Sequence, residues 1–222
     1  MRLLVTDISK KIMFQHESLS ILNGVNMECE SGQMVVITGN SGSGKSTLLN
    51  VLSMLDESSG GEYYIGDKNV FALSEKEKIL YRAKHMGIVF QQFNLINDMT
   101  CYDNVKIPLF LERTLPVGQR NQRIREKLSI VGMEHRMKHY PKTLSGGEQQ
   151  RVAIARAIIH EPEIVFADEP TGNVDEENEL MIMKLFRKIA DENKIVVIVT
   201  HSEKVKQFAD KVYHMVDGRL EE

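Results

Sequence analysis

Runs of consecutive apolar residues punctuate the chain at 34–38, 87–90, 163–167 and 195–200, with shorter β-type runs at 63–65 and 212–216. Several lack polar alternation, the pattern of strands covered on both faces of a mostly parallel sheet. Between 91 and 160 the spacing becomes helical. Ile124, Leu128 and Val131 fall on one face of residues 120–131, while Arg123, Arg125, Glu126 and Lys127 fall elsewhere. The pattern predicts an α/β core with a helical insertion between its strands. The arginines of that insertion read as a solvated helix face rather than a phosphate patch. A turn dipeptide, Asp217-Gly218, follows the last strand, and no regulatory C-terminal domain is expected after it.

Composition narrows the class without changing that picture. A chain of 222 residues can bury a substantial core, and its apolar and charged fractions, 42% and 27%, are ordinary for a globular protein. The net charge of -3 offers no electrostatic reason to bind nucleic acid or anionic lipid. Cys29 and Cys101 form no CxxC pair, so neither a disulfide framework nor a zinc site is expected. The methionines are scattered and read as core filler. No apolar run reaches spanning length, and Asp7 interrupts the N-terminus too early for a secretory signal. A soluble, intracellular chain without direct membrane insertion is expected, acting at a membrane only through a partner.

The first chemical motif follows the run at 34–38. Gly39, Asn40, Ser41, Gly42, Ser43, Gly44, Lys45, Ser46 and Thr47 satisfy G-x-x-x-x-G-K-[ST], and an apolar stretch suited to a helix comes next. Strand, glycine-rich loop and helix are the context in which this motif cradles phosphate. The glycines let successive N–H groups turn toward phosphate oxygens, and the helix adds the positive end of its dipole. Lys45 would reach the β- and γ-phosphates, and the Ser46 hydroxyl would ligate Mg²⁺.

The run at 163–167 delivers two acids at its C-terminal end, Asp168 and Glu169, and Pro170 stops it. Ligands of open α/β sheets bind beyond the carboxyl ends of strands, so both acids should face the phosphate loop. Asp168 would hold Mg²⁺, and Glu169 would orient the attacking water and accept its proton. A third element, Leu144-Ser145-Gly146-Gly147-Glu148-Gln149-Gln150-Arg151, precedes a helix-forming run. Ser145 is a good N-cap, and the N–H groups of Gly146 and Gly147 make a second anion site at a helix start.

That third stretch resembles the LSGGQ signature of ATP-binding-cassette ATPases, and the resemblance extends over nearly the whole chain in the family's order. Gly39 to Thr47 is similar to the Walker A loop, Gln91 to the Q-loop, and Asp168 with Glu169 to Walker B and its catalytic glutamate. Asn173-Val174-Asp175 resembles the D-loop, and His201 the switch histidine. The resemblance implies a P-loop ATPase core with an N-terminal antiparallel β subdomain and an inserted helical subdomain. Residues 1–222 would form one nucleotide-binding domain, with core segments at about 1–90 and 161–222 and helices at about 91–160.

It further implies a homodimer in which each ATP lies between one subunit's Lys45 loop and the other's Ser145-Gly146-Gly147-Glu148 helix start. Gln91 would ligate Mg²⁺ and report nucleotide state to the helices. His201 would contact the γ-phosphate, and Asp175 would couple the two sites. An aromatic residue about thirty positions ahead of the Walker lysine usually stacks on adenine in this family. Here Ile12 stands nearest that spot, and Phe14, two residues on, is nominated as the stacking residue should the loop shift by two; the alternative is that it packs under the N-terminal sheet. His135 and His139 are four apart, but two cations and no Glu lie between them, so no metal pair is expected.

Within the family, residues 89–96, 100–109 and 166–173 resemble the LolD/MacB/FtsE group. Such ATPases serve a separate integral membrane permease, implying a peripheral position on the cytoplasmic face of the membrane. Lipoprotein, peptide-antibiotic and drug export or resistance are the candidate cargoes. The rival classes are a soluble cassette ATPase of translation or DNA repair and a regulatory ATP-binding protein without turnover. A single cassette without metal cysteines fits the first rival poorly, and the presence of Glu169 and His201 opposes the second.

Overall fold

The computed structural model describes residues 1–14, 17–112 and 114–221. Along the chain, β1 (Arg2–Phe14) and β2 (Glu17–Glu30) precede β3 (Met34–Thr38), the glycine-rich loop and α1 (Lys45–Leu52). β4 (Gly60–Ile65), β5 (Lys68–Asn69), α2 (Glu75–His85) and β6 (Met86–Val89) follow. A helical stretch then contains α3 (Cys101–Lys106), α4 (Val117–Ile130) and α5 (Gly146–Ala157). β7 (Ile164–Asp168), α6 (Glu176–Asp191), β8 (Ile195–Val199), β9 (Lys211–Val216) and β10 (Arg219–Glu221) come last.

Two sheets result. One is antiparallel, in the order β2-β1-β4-β5; the other has the order β10-β9-β3-β8-β7-β6 and is parallel except for β10. The central strands β3 and β8 are buried along their whole length, which explains their unbroken apolar runs. Their alternate side chains serve different cores. Val35, Ile37, Val197 and Val199 pack with α1 and the antiparallel sheet, whereas Met34, Val36, Val196 and Ile198 pack with residues of α3 to α6. The parallel sheet is thus covered by a second sheet and a helix on one face and by helices on the other.

The apolar runs locate β3 and β6 to β9 within a few residues. α4 begins three positions earlier than the periodic stretch, buries Ile124 and Leu128, and leaves Val131 buried just beyond its end. By contrast, α2 carries no fully buried residue and hence no apolar stripe to reveal it. Its start is set by a capping box: Glu77 N donates to Ser74 Oγ at 3.4 Å, and Ser74 N donates to Glu77 Oε2 at 2.9 Å. Both cysteines are buried free thiols, and burial pushes Cys29 up to about 12, away from thiolate chemistry.

Candidate functional site

The glycine-rich loop leaves the C-terminal end of β3 and returns as α1. Gly39, Gly42 and Gly44 have φ of 147°, 80° and 106°, a region that favours glycine. At Gly39 space is also short, since a Cβ there would lie 2.3 Å from the Met215 carbonyl oxygen of β9. The Asp217–Gly218 turn fastens the loop from outside. Gly218 N donates to Ser43 O at 3.0 Å, and Asn23 N of β2 donates to Gly218 O at 2.8 Å. The antiparallel sheet is therefore tied to the loop through the last turn of the chain.

Lys45, the first residue of α1, is buried, and its Nζ donates to the carbonyls of Gly39 at 2.8 Å and Asn40 at 2.9 Å. A buried ammonium held by two neutral carbonyls is matched to an incoming anion rather than to a resident carboxylate. The next residue reaches across to β7: Ser46 Oγ donates to Asp168 Oδ1 at 3.0 Å. Burial raises the Asp168 carboxyl above the ordinary carboxylate range, and the neighbouring Glu169 charge pushes the same way.

Glu169 has a left-handed backbone, φ 42°, uncommon outside glycine. Two hydrogen bonds hold it there, Glu169 N to Val199 O at 2.9 Å and Gly172 N to Glu169 O at 3.1 Å. The bend directs its carboxylate toward the end of β8, where His201 Nδ1 lies 3.0 Å from Oε1 and His201 N donates to Oε2 at 3.2 Å. The glutamate side chain is mostly shielded while the histidine ring is exposed.

The loop residues, Lys45, Ser46, Glu169 and His201 line one cleft of about 760 Å³, together with Gln91 from the segment after β6, whereas Asp168 lies behind Ser46 and is not part of the lining. Gln91 O accepts from Asn173 Nδ2 at 3.0 Å, so the segment after β6 is tethered to the segment that leads from Glu169 to α6. Three further lining residues, Ile21, Glu203 and His214, carry no sequence signal. His214 follows from register alone: it pairs with Thr38 across β3 and β9, and its Nδ1 lies 3.1 Å from Thr38 Oγ1.

With this geometry in view, comparison with known proteins gives one family. The ABC transporter family model matches residues 22–172. The chain belongs to the ABC transporter family. It is 40% identical over 213 residues to an uncharacterized ABC transporter ATP-binding protein of Methanocaldococcus jannaschii, covering 96% of this chain and 95% of that one. The LolD lipoprotein-releasing ATP-binding protein of Francisella tularensis subsp. holarctica is 42% identical over 216 residues, 97% of this chain and 94% of that one. The MacB macrolide export ATP-binding/permease protein of Vibrio parahaemolyticus is 38% identical over 216 residues, but this chain spans only 33% of its length. Among solved structures, a dimeric post-hydrolysis state of the ATP-binding cassette MJ0796 bound to ADP and Pi superposes with a TM-score of 0.91 at 38% identity. That match covers 99% of this chain and 97% of the cassette. The cassette fold expected from the motifs is therefore the observed one.

The signature element of this ABC protein stands apart from the cleft. Ser145 caps α5 through a capping box: Glu148 N donates to Ser145 Oγ at 3.3 Å, and Ser145 N donates to Glu148 Oε2 at 2.9 Å. None of Ser145, Gly146, Gly147 or Glu148 lines the cleft that holds Lys45. The backbone bond to Ser145 holds the Glu148 carboxyl below its usual range. The two glycines are also constrained within their own subunit. A Cβ on Gly146 would lie 2.8 Å from Asn173 O, and one on Gly147 would lie 2.4 Å from Asn178 Cγ. Their lack of side chains therefore has an intrasubunit reason that the sequence does not show.

Asp175 is likewise away from the cleft and caps α6, accepting from Asn178 N at 2.9 Å. Of the base-stacking candidates, Ile12 is exposed near the end of the β1–β2 hairpin, paired with Leu19. Phe14 ends β1, and its side chain lies outside the described residues. His139 Nε2 meets Arg136 Nη1 at 3.1 Å, and no group of three or more His, Cys, Asp or Glu side chains that could hold a metal occurs among the described residues.

Proposed function

We propose that the chain is the ATP-hydrolysing subunit of an ABC transporter, working as a nucleotide-sandwich homodimer that drives a separate membrane permease of the MacB/FtsX type. The observation that carries this reading is the split between the two anion sites. One cleft gathers Gly39, Asn40, Ser41, Gly42, Gly44, Lys45, Ser46, Thr47, Gln91, Glu169 and His201, whereas the Ser145 helix start opens elsewhere. A site completed only by another copy's Ser145-Gly146-Gly147-Glu148 reconciles them. The dimeric form of the related cassette MJ0796 supports it.

In this reading the loop N–H groups and Lys45 bind the β- and γ-phosphates. Ser43 Oγ is shielded from solvent and has no hydrogen-bond partner among the described residues, an orphan that a phosphate oxygen would satisfy. Glu169 orients the attacking water and takes its proton, with His201 fixing the carboxylate and facing the γ-phosphate. Asp175 couples the two sites.

The residues present fit Mg²⁺. The Ser46 hydroxyl and the Asp168 carboxylate form an all-oxygen pair suited to a hard cation, and Gln91 can add a third ligand. Two adjacent acids, one raised by burial, are the arrangement a cation relieves. When bound, Mg²⁺ would neutralise charge developing on the phosphates.

No described helix is long and apolar enough to cross a membrane. In the permease reading, which rests on the LolD and MacB relatives, the chain would sit on the cytoplasmic face of the membrane through that permease. Lipoprotein release, as in the name of the LolD relatives, and macrolide export, as in that of MacB, are the cargo classes its relatives suggest. The test is ATPase rate per subunit against protein concentration without permease. The reading expects the rate to rise with concentration, and a rate constant down to the lowest measurable concentration with no dimer present would refute it.

A further inference from the structure

The signature helix and the segment leading into α6 are joined by one side chain that no sequence motif singles out. Asn178 lies in the first turn of α6, half-buried between Asp175 and α5. Its Nδ2 donates to both carboxylate oxygens of Asp175, at 3.0 and 2.9 Å. Its Oδ1 accepts from Arg151 Nη1 of α5 at 2.6 Å. The start of α5 presses on the same group, because Gly147 approaches so closely that a Cβ would lie 2.4 Å from both Asn178 Cγ and Oδ1.

An amide suits this position for a chemical reason. It presents an acceptor to a guanidinium at one end and a donor to a carboxylate at the other, and both bonds are charge-assisted. An aspartate would satisfy Arg151 and repel Asp175, and an apolar side chain would satisfy neither. The Arg151 side chain has little else to hold it. Its Nε has no partner among the described residues, and its Nη2 has only the weak acceptor Met133 Sδ at 3.8 Å.

We propose that Asn178 is a positioning residue that locks Asp175 to the Ser145–Gly147 helix start, so that both move as one unit. Resting on the sandwich reading, this unit carries nucleotide engagement at one composite site to Asp175 at the other. The half-site offered to the partner and the aspartate that couples the sites are thereby one rigid body. Asn178 touches no nucleotide in this account and acts only through Arg151, Gly147 and Asp175.

The test compares steady-state ATPase activity of the wild-type protein with Asn178→Leu, Arg151→Gln and the double variant, across ATP concentrations. Melting temperature checks that each is folded. Both single variants should lose about tenfold in kcat, while the ATP concentration for half-saturation stays within about twofold. Their Hill coefficients should fall toward about 1 from a wild-type value above about 1.5. The double variant should be no worse than the worse single one, since both break the same relay. A merely structural defect would lower the folded fraction and leave the Hill coefficient unchanged. Wild-type-like kcat and cooperativity in either folded variant, or fully additive losses in the double, would overturn the proposal. If Asn178→Leu fails to fold, Arg151→Gln decides alone, because it leaves the Asp175 cap intact. A wild-type protein without cooperativity, and with a concentration-independent rate, would remove the sandwich reading itself. Cooperative variants beside a cooperative wild type would reject only Asn178.

Discussion

His201 grips both oxygens of the Glu169 carboxylate, its Nδ1 lying 3.0 Å from Oε1 and its backbone N donating to Oε2 at 3.2 Å. The carboxylate is held on the cleft wall by a residue just beyond the end of β8 and by its own left-handed backbone. Replacing Glu169 by Gln removes the proposed base and should lower kcat by about a hundredfold or more while ATP still binds. His201→Ala should also lower kcat, with an almost unchanged melting temperature because the ring is exposed. Substantial steady-state turnover by Glu169→Gln would take the glutamate out of this role.

Asp168 gives a pH-dependent prediction. Burial first, and Glu169 second, raise its carboxyl above the usual range, so the folded protein retains a proton there that the unfolded chain has released. Charging this group therefore costs stability. The cost is absent at low pH, grows as pH rises through the unfolded and then the folded pKa, and levels off above it. Asp168→Asn should raise the melting temperature at neutral pH in metal-free buffer by about 2 °C. The gain should shrink on acidification, and hydrolysis should be lost. A neutral-pH melting temperature below wild type would contradict the assignment.

Lys45→Ala should reduce nucleotide affinity by about tenfold or more, since a buried cation aimed at the loop is removed. The same lysine ties down the carbonyls of Gly39 and Asn40, so the loop should also exchange its amide hydrogens faster. Fluorescent-nucleotide titration and hydrogen exchange check the two effects, and unchanged affinity would contradict the cradle.

Gly147→Ala places a methyl group against Asn178 and should destabilise the folded subunit by about 1–3 kcal/mol even without nucleotide. Denaturant unfolding of the isolated chain measures it. An unchanged midpoint would mean that the glycine is needed only for an incoming phosphate.

Most of the proposed phosphate site is legible in the sequence because its parts fall in short contiguous stretches. Gly39 to Thr47 is one loop between a strand and a helix, and Asp168 and Glu169 end one apolar run. What the sequence hides is long-range. Ile21 and His214 enter the cleft because β2 is tied to the loop through Gly218 and β9 lies beside β3, pairings no local pattern encodes. The Gly147–Asn178 contact is hidden for the same reason: the glycine reads as room for a ligand until α6 is seen beside it. Helix α2 escapes because none of its residues is fully buried, so no apolar stripe marks it; the Ser74-Glu77 capping box is the local signal that could have found its start.

The central claim is that each nucleotide is closed in by two copies of the chain, and the mass of Glu169→Gln protein in solution tests it most directly. Light scattering or sedimentation should give the 25.3 kDa subunit without nucleotide and twice that mass in saturating ATP and Mg²⁺. A mass that stays at 25.3 kDa with ATP bound would contradict the account.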